Sequence, residues 1–575
     1  MLTQTRAGSI PTILLLVIAF IQGLMLLAIY RALDTHYWPW QQPVYLYPLL
    51  SFVIVTPTLC LLGFVRGQII HYVKWIGVFS FCLLAAATYT GWQLEPGDKI
   101  KGNLVGVVFV LTSLVASFKA LMYIQQYSSG QPISYSALFR YSWRNFLVLG
   151  LSFLFTLIFW GILFLCGALF KVIGIDVIAK LIGHDWFYIP VLSLAHGFGI
   201  LIFRNLANVI DTIAKILQVL MKFLLPALVL IAIAFLATLP FTGLQALWGT
   251  GQGSRLILWL QVLVLFFVNA VYQDESHILP YPRIVHRAIY CGIALLPIYS
   301  IIAFWGLYAR VSQYGLSVER CWALLLWLLL FLFTAGYLWG IIRKRDQWVE
   351  QLSRVNISMG LIVLGLMLLV NSPMLDFRKV SLANQIQRFE SGVTTMKTLD
   401  VDYISRHLAR SGYLALQELK AKHEELHPEF AERIDNAMGQ YGLTSKKAKP
   451  TVVAFSQSIL QSPAGFQIPD GLVDSIYARE IDRSWHFNKM YLLQCDLDDD
   501  GEYEYVFIRG DEVWGHADMW RQADGKWTSQ AMRYNLTWNK VDLSLALQEH
   551  AIEIVKPKWN HLKVGKMIFT LTDNE

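Results

Sequence analysis

About eleven long apolar stretches fill the first two-thirds of this chain, and roughly 200 water-compatible residues follow. An apolar run of about 20 residues matches the hydrocarbon core of a bilayer. Inside lipid such a run must be helical, because every backbone donor and acceptor needs an internal partner. The stretches lie at 9–31, 44–65, 74–93, 103–124, 145–170, 187–203, 216–240, 255–272, 288–309, 321–342 and 356–374. The sixth is short and carries His196, with Gly197 and Gly199 just after. Its alternative is a broken or re-entrant segment, and an odd or even number of crossings turns on it.

Composition agrees. Of the 575 residues, 55% are hydrophobic and only 15% charged, against about 25% charged in a soluble domain. Mean hydropathy is +0.47 even with the polar tail included. The net charge of +7 reads as a bias of the loops. No Lys/Arg-rich run is interleaved with aromatics as a nucleic-acid groove requires, so nucleic acid is excluded as a partner. Cys60, Cys82, Cys166, Cys291 and Cys321 lie in or beside apolar segments, and only Cys495 is in the tail. With no CxxC pair and no Cys/His cluster at zinc spacing, they read as buried apolar residues. The run from Ile10 to Tyr30 behind Arg6 is too long for a signal peptide and reads as an uncleaved first span.

Basic residues set the orientation. With Arg6 inside, the loops on its side hold Arg66, Lys74, Arg140, Arg144, Arg204, Lys215, Arg283, Arg287, Arg343, Lys344, Arg345 and Arg354. Opposite loops hold fewer. Positive residues stay cytoplasmic, so the N-terminus is cytoplasmic and eleven crossings leave the tail outside. In a Gram-negative inner membrane that is the periplasm. Aromatics crowd the span ends, as at Tyr37, Trp38 and Trp40, where amphipathic rings suit the headgroup layer.

The expected architecture is an α-helical polytopic membrane bundle of about 11 spans over 1–374, a helical juxtamembrane region and linker over 375–450, and a soluble, β-rich α+β domain over 451–575. Helices are expected at Val380–Gly392, Asp400–Arg410 and Gly412–Tyr441, the last kinked or divided at Pro428. Strands are expected at Met490–Leu497, Tyr503–Arg509, Glu512–Arg521 and Lys526–Tyr534, as an antiparallel meander with a hairpin turn at Asp524-Gly525.

The sharpest local motif is the acidic run from Asp496 to Glu504. Asp496, Asp498, Asp500 and Glu504 fall at positions 1, 3, 5 and 9 of a calcium loop, Gly501 at position 6 and Glu502 at position 7. Position 12 is Phe507 rather than the bidentate Glu of an EF-hand, and the flanks are strands. The expected cofactor is a structural Ca²⁺; the plain alternative is a solvated acidic turn. Glu480, Asp482 and His486 upstream form no ligand motif and read as surface residues. Within the spans, Lys119, His196, Asn269, Lys222 and Gln261 are costly polar residues and candidate functional ones. Lys119 and Lys222 read as snorkelling near span ends, and His196 as a packed, hydrogen-bonded residue. Arg204, Asp211, Lys215 and Lys222 read as one amphipathic surface helix. Gly249–Ser254 lacks the lysine of a phosphate loop and reads as a connector.

Four stretches resemble a bacterial multispanning family known as domain of unknown function 4153: Tyr314–Arg320; Leu375-Asp376-Phe377-Arg378 with Asn384-Gln385; the Asp496–Glu504 turn; and Trp559–Gly565. The resemblance implies an inner-membrane protein with a periplasmic tail, and transfers no activity and no catalytic residue.

These readings point to a transport component or an envelope scaffold, with the lipid bilayer and an envelope protein or lipid-linked molecule as partners. The alternative is a lipid-linked glycosyl or phospholipid-headgroup transferase, resting on Asp34 and His36 in the first outer loop. The transferase requires a cavity at the outer leaflet facing Asp34; a transporter requires one at the midplane, lined by residues such as His196 and Asn269.

Overall fold

The computed structural model describes residues 11–35, 37–97, 100, 103–243, 252–273, 280–439, 451–463, 465–480, 489–498, 500–510, 515–523, 525–532, 562–564 and 567–569. The chain forms two compact units, Met1–Leu443 and Thr444–Glu575.

The first unit is all helical. Its elements are α1 (Thr12–Asp34), α2 (Pro43–Gly63), α3 (Ile69–Gln93), α4 (Asn103–Ser128), α5 (Tyr135–Val172), α6 (Val177–Gly183), α7 (Asp185–Asn205), α8 (Ala207–Thr242), α9 (Gly253–Val271), α10 (Arg283–Ala294), α11 (Leu296–Tyr314), α12 (Val318–Lys344) and α13 (Val349–Leu369). Counting α10 and α11 as one span, eleven helices among the described residues are long and apolar enough to cross a membrane. Their outer faces are apolar, as at Phe81, Val172, Phe223 and Phe241, where a soluble bundle would be charged. The sixth stretch is a helix of full spanning length, Asp185–Asn205. Its glycines serve close packing, not a break: a Cβ on Gly197 would lie 2.4 Å from Ala19 Cβ, and one on Gly199 3.1 Å from Ser152 Cβ. Lipid gives helices no hydrophobic reason to associate, so small residues that allow close approach hold α7 to α1 and α5.

The bundle has two cores. One runs through Leu15, Leu61, Ile76, Leu121, Val148 and Ile200, from α1–α5 and α7. The other runs through Leu225, Ile257, Ile293, Tyr337 and Leu352, from α8–α13. The start of α8 packs in the first core, with Ile210 and Ala214, and its later part in the second. The expected surface helix across 204–222 is not formed. Asp211, Lys215 and Lys222 lie on the continuous 36-residue α8, and Arg204 belongs to α7 and is buried. Arg204 donates from Nη2 to Phe64 O at 2.7 Å and from Nη1 to Leu61 O. A helix end leaves carbonyls without partners, and the arginine fork closes that end of α2.

After α13 come α14 (Phe377–Glu390), α15 (Val401–His407), α16 (Ala409–His423) and α17 (Pro428–Gly439). They belong to the same compact unit as the bundle. The helix expected from Gly412 is divided at Pro428, as its sequence allows, and Pro428 opens the second part, where a missing N–H costs nothing. Two of the resembling stretches meet here. Leu316 N donates to Asn384 Oδ1 at 2.7 Å, while Gln385 Nε2 and Ser381 Oγ each donate to Leu316 O at 3.0 Å. Gly315 sits between them with φ +75°, and a Cβ there would meet Asn384 Oδ1 at 2.9 Å. The α14 start is fixed by a buried Asp376, which caps Arg378 N and accepts from Tyr89 and Gln93 of α3.

The second unit holds α18 (Val452–Gln457), β1 (Ile459–Ser462), α19 (Leu472–Glu480), β2 (Lys489–Cys495), β3 (Glu504–Gly510), β4 (Gly515–Ala523) and β5 (Lys526–Met532), with a separate hairpin of β6 (Leu562–Val564) and β7 (Met567–Phe569). Strands β2 to β5 form the antiparallel meander, and Ala523 pairs Lys526 across the expected turn. The sheet is mixed, however, because β1 adds parallel to β2 with Ile459 opposite Met490. The crossover through α19 supplies the long connection a parallel pair needs. Phe455, Leu472, Ile476, Leu492, Phe507 and Trp520 form its core. A buried ion pair, Arg509 Nη1 to Asp518 Oδ2 at 2.5 Å, joins β3 to β4.

Candidate functional site

Between the two cores lies a cavity of about 490 Å³. Its wall is built from five helices. Phe118, Lys119 and Met122 come from α4; Tyr135, Phe139, Ser142, Trp143 and Phe146 from α5; Phe266 and Asn269 from α9; Phe333 from α12 and Asn356 from α13. These positions cluster at one end of the bundle, where α4, α9 and α12 finish and α5 and α13 begin. That end also carries Arg140, Arg144, Arg343, Lys344 and Arg345. Lys119 lies nine residues before the end of α4, about 14 Å at 1.5 Å per residue.

One side of the cavity is a polar cluster centred on Asn269. Its Oδ1 receives the Tyr135 hydroxyl at 3.1 Å, the Tyr337 hydroxyl at 3.0 Å and Asn356 Nδ2 at 2.6 Å. The Tyr337 hydroxyl also lies 2.5 Å from Asn356 Oδ1. Unpaired polar groups are costly in lipid, so the four side chains satisfy one another across α5, α9, α12 and α13. The remaining surface is aromatic. This is the combination of apolar walls with a few converging polar groups that marks small-molecule sites.

The candidate residues divide accordingly. Asn269 and Lys119 share the cavity wall. His196 does not line the cavity. Gln261 is fully buried and donates to Leu296 O at 2.7 Å and Ser300 Oγ at 2.8 Å, tying α9 to α11. Lys222 is exposed, with its amine over the Tyr281 ring. Asp34 is exposed at the end of α1 and does not line the cavity. His36, Asp482, His486 and residues 249–251 lie outside the described residues, as does the side chain of Glu480. Tyr135, Tyr337 and Asn356 were not legible as site residues.

In the second unit, the turn between β2 and β3 brings Asp496, Asp498 and Glu504 together, each with a carboxylate oxygen within 4.8 Å of the others. Asp496 Oδ2 accepts from Gly501 N at 3.0 Å, and its Oδ1 is buried with no hydrogen-bond partner. Glu504 is buried and accepts from Leu497 N at 2.8 Å. Asp500 accepts from Glu502 N at 2.7 Å, and it and Glu502 are exposed, outside the trio. Burial, then the Glu504 and Asp496 carboxylates, push the Cys495 thiol up, so at neutral pH it is protonated and a poor nucleophile.

A bundle of eleven apolar helices with a polar, aromatic-walled cavity is a multi-pass membrane protein. The chain belongs to the family described as Domain of unknown function (DUF4153), whose model matches residues 49–419. The match ends within α16, so the juxtamembrane helices α14 and α15 are part of the family's domain, whereas the Asp496–Glu504 turn and Trp559–Gly565 lie beyond it. No curated protein and no solved structure matches the chain.

Proposed function

We propose that this protein is a transport component of a bacterial inner membrane, with its N-terminus cytoplasmic and its second unit periplasmic. The cavity is its substrate chamber, and the observation that carries this reading is its place at the seam of two helical cores. Chambers between helix groups that rock against each other are how alternating access works. The excess of Arg and Lys at the cavity's end of the bundle supports a cytoplasmic placement of that end. The periplasmic unit offers an envelope partner a folded surface.

Two-sided access is the test. In a variant free of the six native cysteines, Ser142→Cys is expected to react with membrane-impermeant thiol reagents added from either face of sealed vesicles. Reaction from the cytoplasmic face alone would reject transport, and a reporter fused at Glu575 that reads cytosolic would reject the orientation.

A structural Ca²⁺ in the second unit belongs to the same reading. Hard oxygens from Asp496, Asp498 and Glu504 fit such an ion, and the buried, unpartnered Asp496 Oδ1 supports it. Metal binding to the folded state stabilises by about 2.7 kcal/mol at 100 times Kd. Titration calorimetry of the purified protein is expected to give Ca²⁺ heat that Asp498→Ala removes. Asp498 is exposed, so its loss leaves folding intact. No heat, or heat unchanged in the variant, rejects the site.

A further inference from the structure

The chemistry of the cavity wall selects its occupant. We propose that the chamber takes an anionic amphiphile from the bilayer, an anionic phospholipid, with its headgroup on Lys119 and Asn269 and its chain along the aromatic wall.

Four observations carry this. First, the charge is one-sided. Lys119 lines the cavity, and no carboxylate is among the described residues that do. Lys119 has no ion-pair partner among the described residues. A cation at that depth is costly unless something neutralises it. Second, the polar cluster is oriented. Tyr135, Tyr337 and Asn356 converge on the Asn269 oxygen, which turns the Asn269 amide N–H groups away from the cluster. The Ser142 hydroxyl adds another donor to the wall. Donors beside an ammonium group suit phosphate or carboxylate oxygens. Third, the rim reaches lipid. Phe146 and Phe266 line the cavity yet are 61% and 50% exposed. In a bundle whose outer surface faces acyl chains, that exposure brings the cavity wall to the lipid, so a chain passing between these rings needs no passage through water. Fourth, the level is right. The α5 helix has 38 residues, about 57 Å, against a hydrocarbon core of about 30 Å. Its first turns, which form the cavity wall, also carry Arg140 and Arg144, the basic residues that favour the headgroup layer for that end. Basic pockets between helices at that level are where anionic headgroups bind.

The inference deepens the transport reading by naming what the chamber takes. It rests on that reading for the chamber's role, but binding is measured separately from two-sided access, so either can fail alone.

The test is native mass spectrometry of the full protein after exchange into mixed micelles containing phosphatidylglycerol, phosphatidylcholine, oleate or inorganic phosphate. The wild type is expected to retain phosphatidylglycerol in preference to phosphatidylcholine, and oleate to compete for the same site. Lys119→Gln is expected to weaken retention about tenfold or more, the scale of one lost charge-assisted hydrogen bond, and Lys119→Arg to restore it. Ser142→Trp fills the cavity with Lys119 intact and is expected to remove the bound lipid too, which keeps the test valid if Lys119→Gln folds poorly. Equal retention of phosphatidylcholine, or retention unchanged in both Lys119→Gln and Ser142→Trp, overturns the proposal. Displacement by inorganic phosphate alone makes the occupant a soluble anion and overturns the bilayer source.

Discussion

Asp376→Ala is expected to destabilise the membrane unit by about 3–5 kcal/mol, the usual cost of breaking a buried ion pair from one side. Asp376 is only 3% exposed, and its two oxygens serve five donors. Oδ1 accepts from Arg378 N at 2.9 Å and Arg378 Nε at 2.8 Å. Oδ2 accepts from the Tyr89 hydroxyl at 2.7 Å, Gln93 Nε2 at 3.0 Å and Arg378 Nη2 at 3.1 Å. Alanine removes the α14 N-cap, worth about 1 kcal/mol, and leaves a largely buried guanidinium without its anion. Asp376→Asn keeps the cap but presents an amide to donors, and is expected to fall between. The double variant Asp376→Ala/Arg378→Met is expected to recover much of the loss, because neither charge then remains. Thermal unfolding in detergent checks all three. Proteolysis within 377–439 is expected to rise in Asp376→Ala, because Asp376 accepts from Tyr89 and Gln93 and so helps fasten α14 to α3. Equal losses in the single and double variants would mean that the pair does not act as a pair.

How much of this was legible follows from what each feature depends on. The spans were, because the length of an apolar run against a fixed bilayer thickness is a local property. So were β2 to β5 and the pairing of Ala523 with Lys526, since alternation and turn chemistry are local too. The cavity was not. Lys119, Asn269 and Asn356 are single polar residues in three different spans, and nothing local says that they share a wall with Tyr135 while His196 packs elsewhere. Arg204 misled for a related reason. Near a span end an arginine reads as a loop cation, and only the tertiary fold brings Leu61 O and Phe64 O to it. The Asp376-Phe377-Arg378 run was visible as a motif, but its partners Tyr89 and Gln93 lie more than 280 residues earlier. The parallel strand β1 was missed because four residues carry too little pattern.

Phe507→Ala is expected to cost the second unit about 3–5 kcal/mol, the range for emptying an aromatic site in a packed core. Phe507 is fully buried, with the Phe455 ring at 6.3 Å and Leu472, Ile476, Leu492 and Trp520 in the same cluster. Domains of this kind are stable by about 5–15 kcal/mol in all, so the loss is a large fraction and the unit is expected to melt well below the wild type. Phe507→Leu keeps most of the volume and is expected to cost under about 1.5 kcal/mol. Unfolding followed separately for each compact unit is the check, and the helical unit's transition is expected to stay where it was. The same position discriminates between two readings of the acidic turn. Twelve residues into the loop, an EF-hand would place a glutamate where this chain has Phe507. If the turn were a degraded EF-hand, Phe507→Glu would tighten Ca²⁺. Because β3 turns that side chain into the hydrophobic core instead, Phe507→Glu buries an unpaired carboxylate, which is strongly unfavourable, and it is expected to unfold the second unit at neutral pH without any gain in calcium heat.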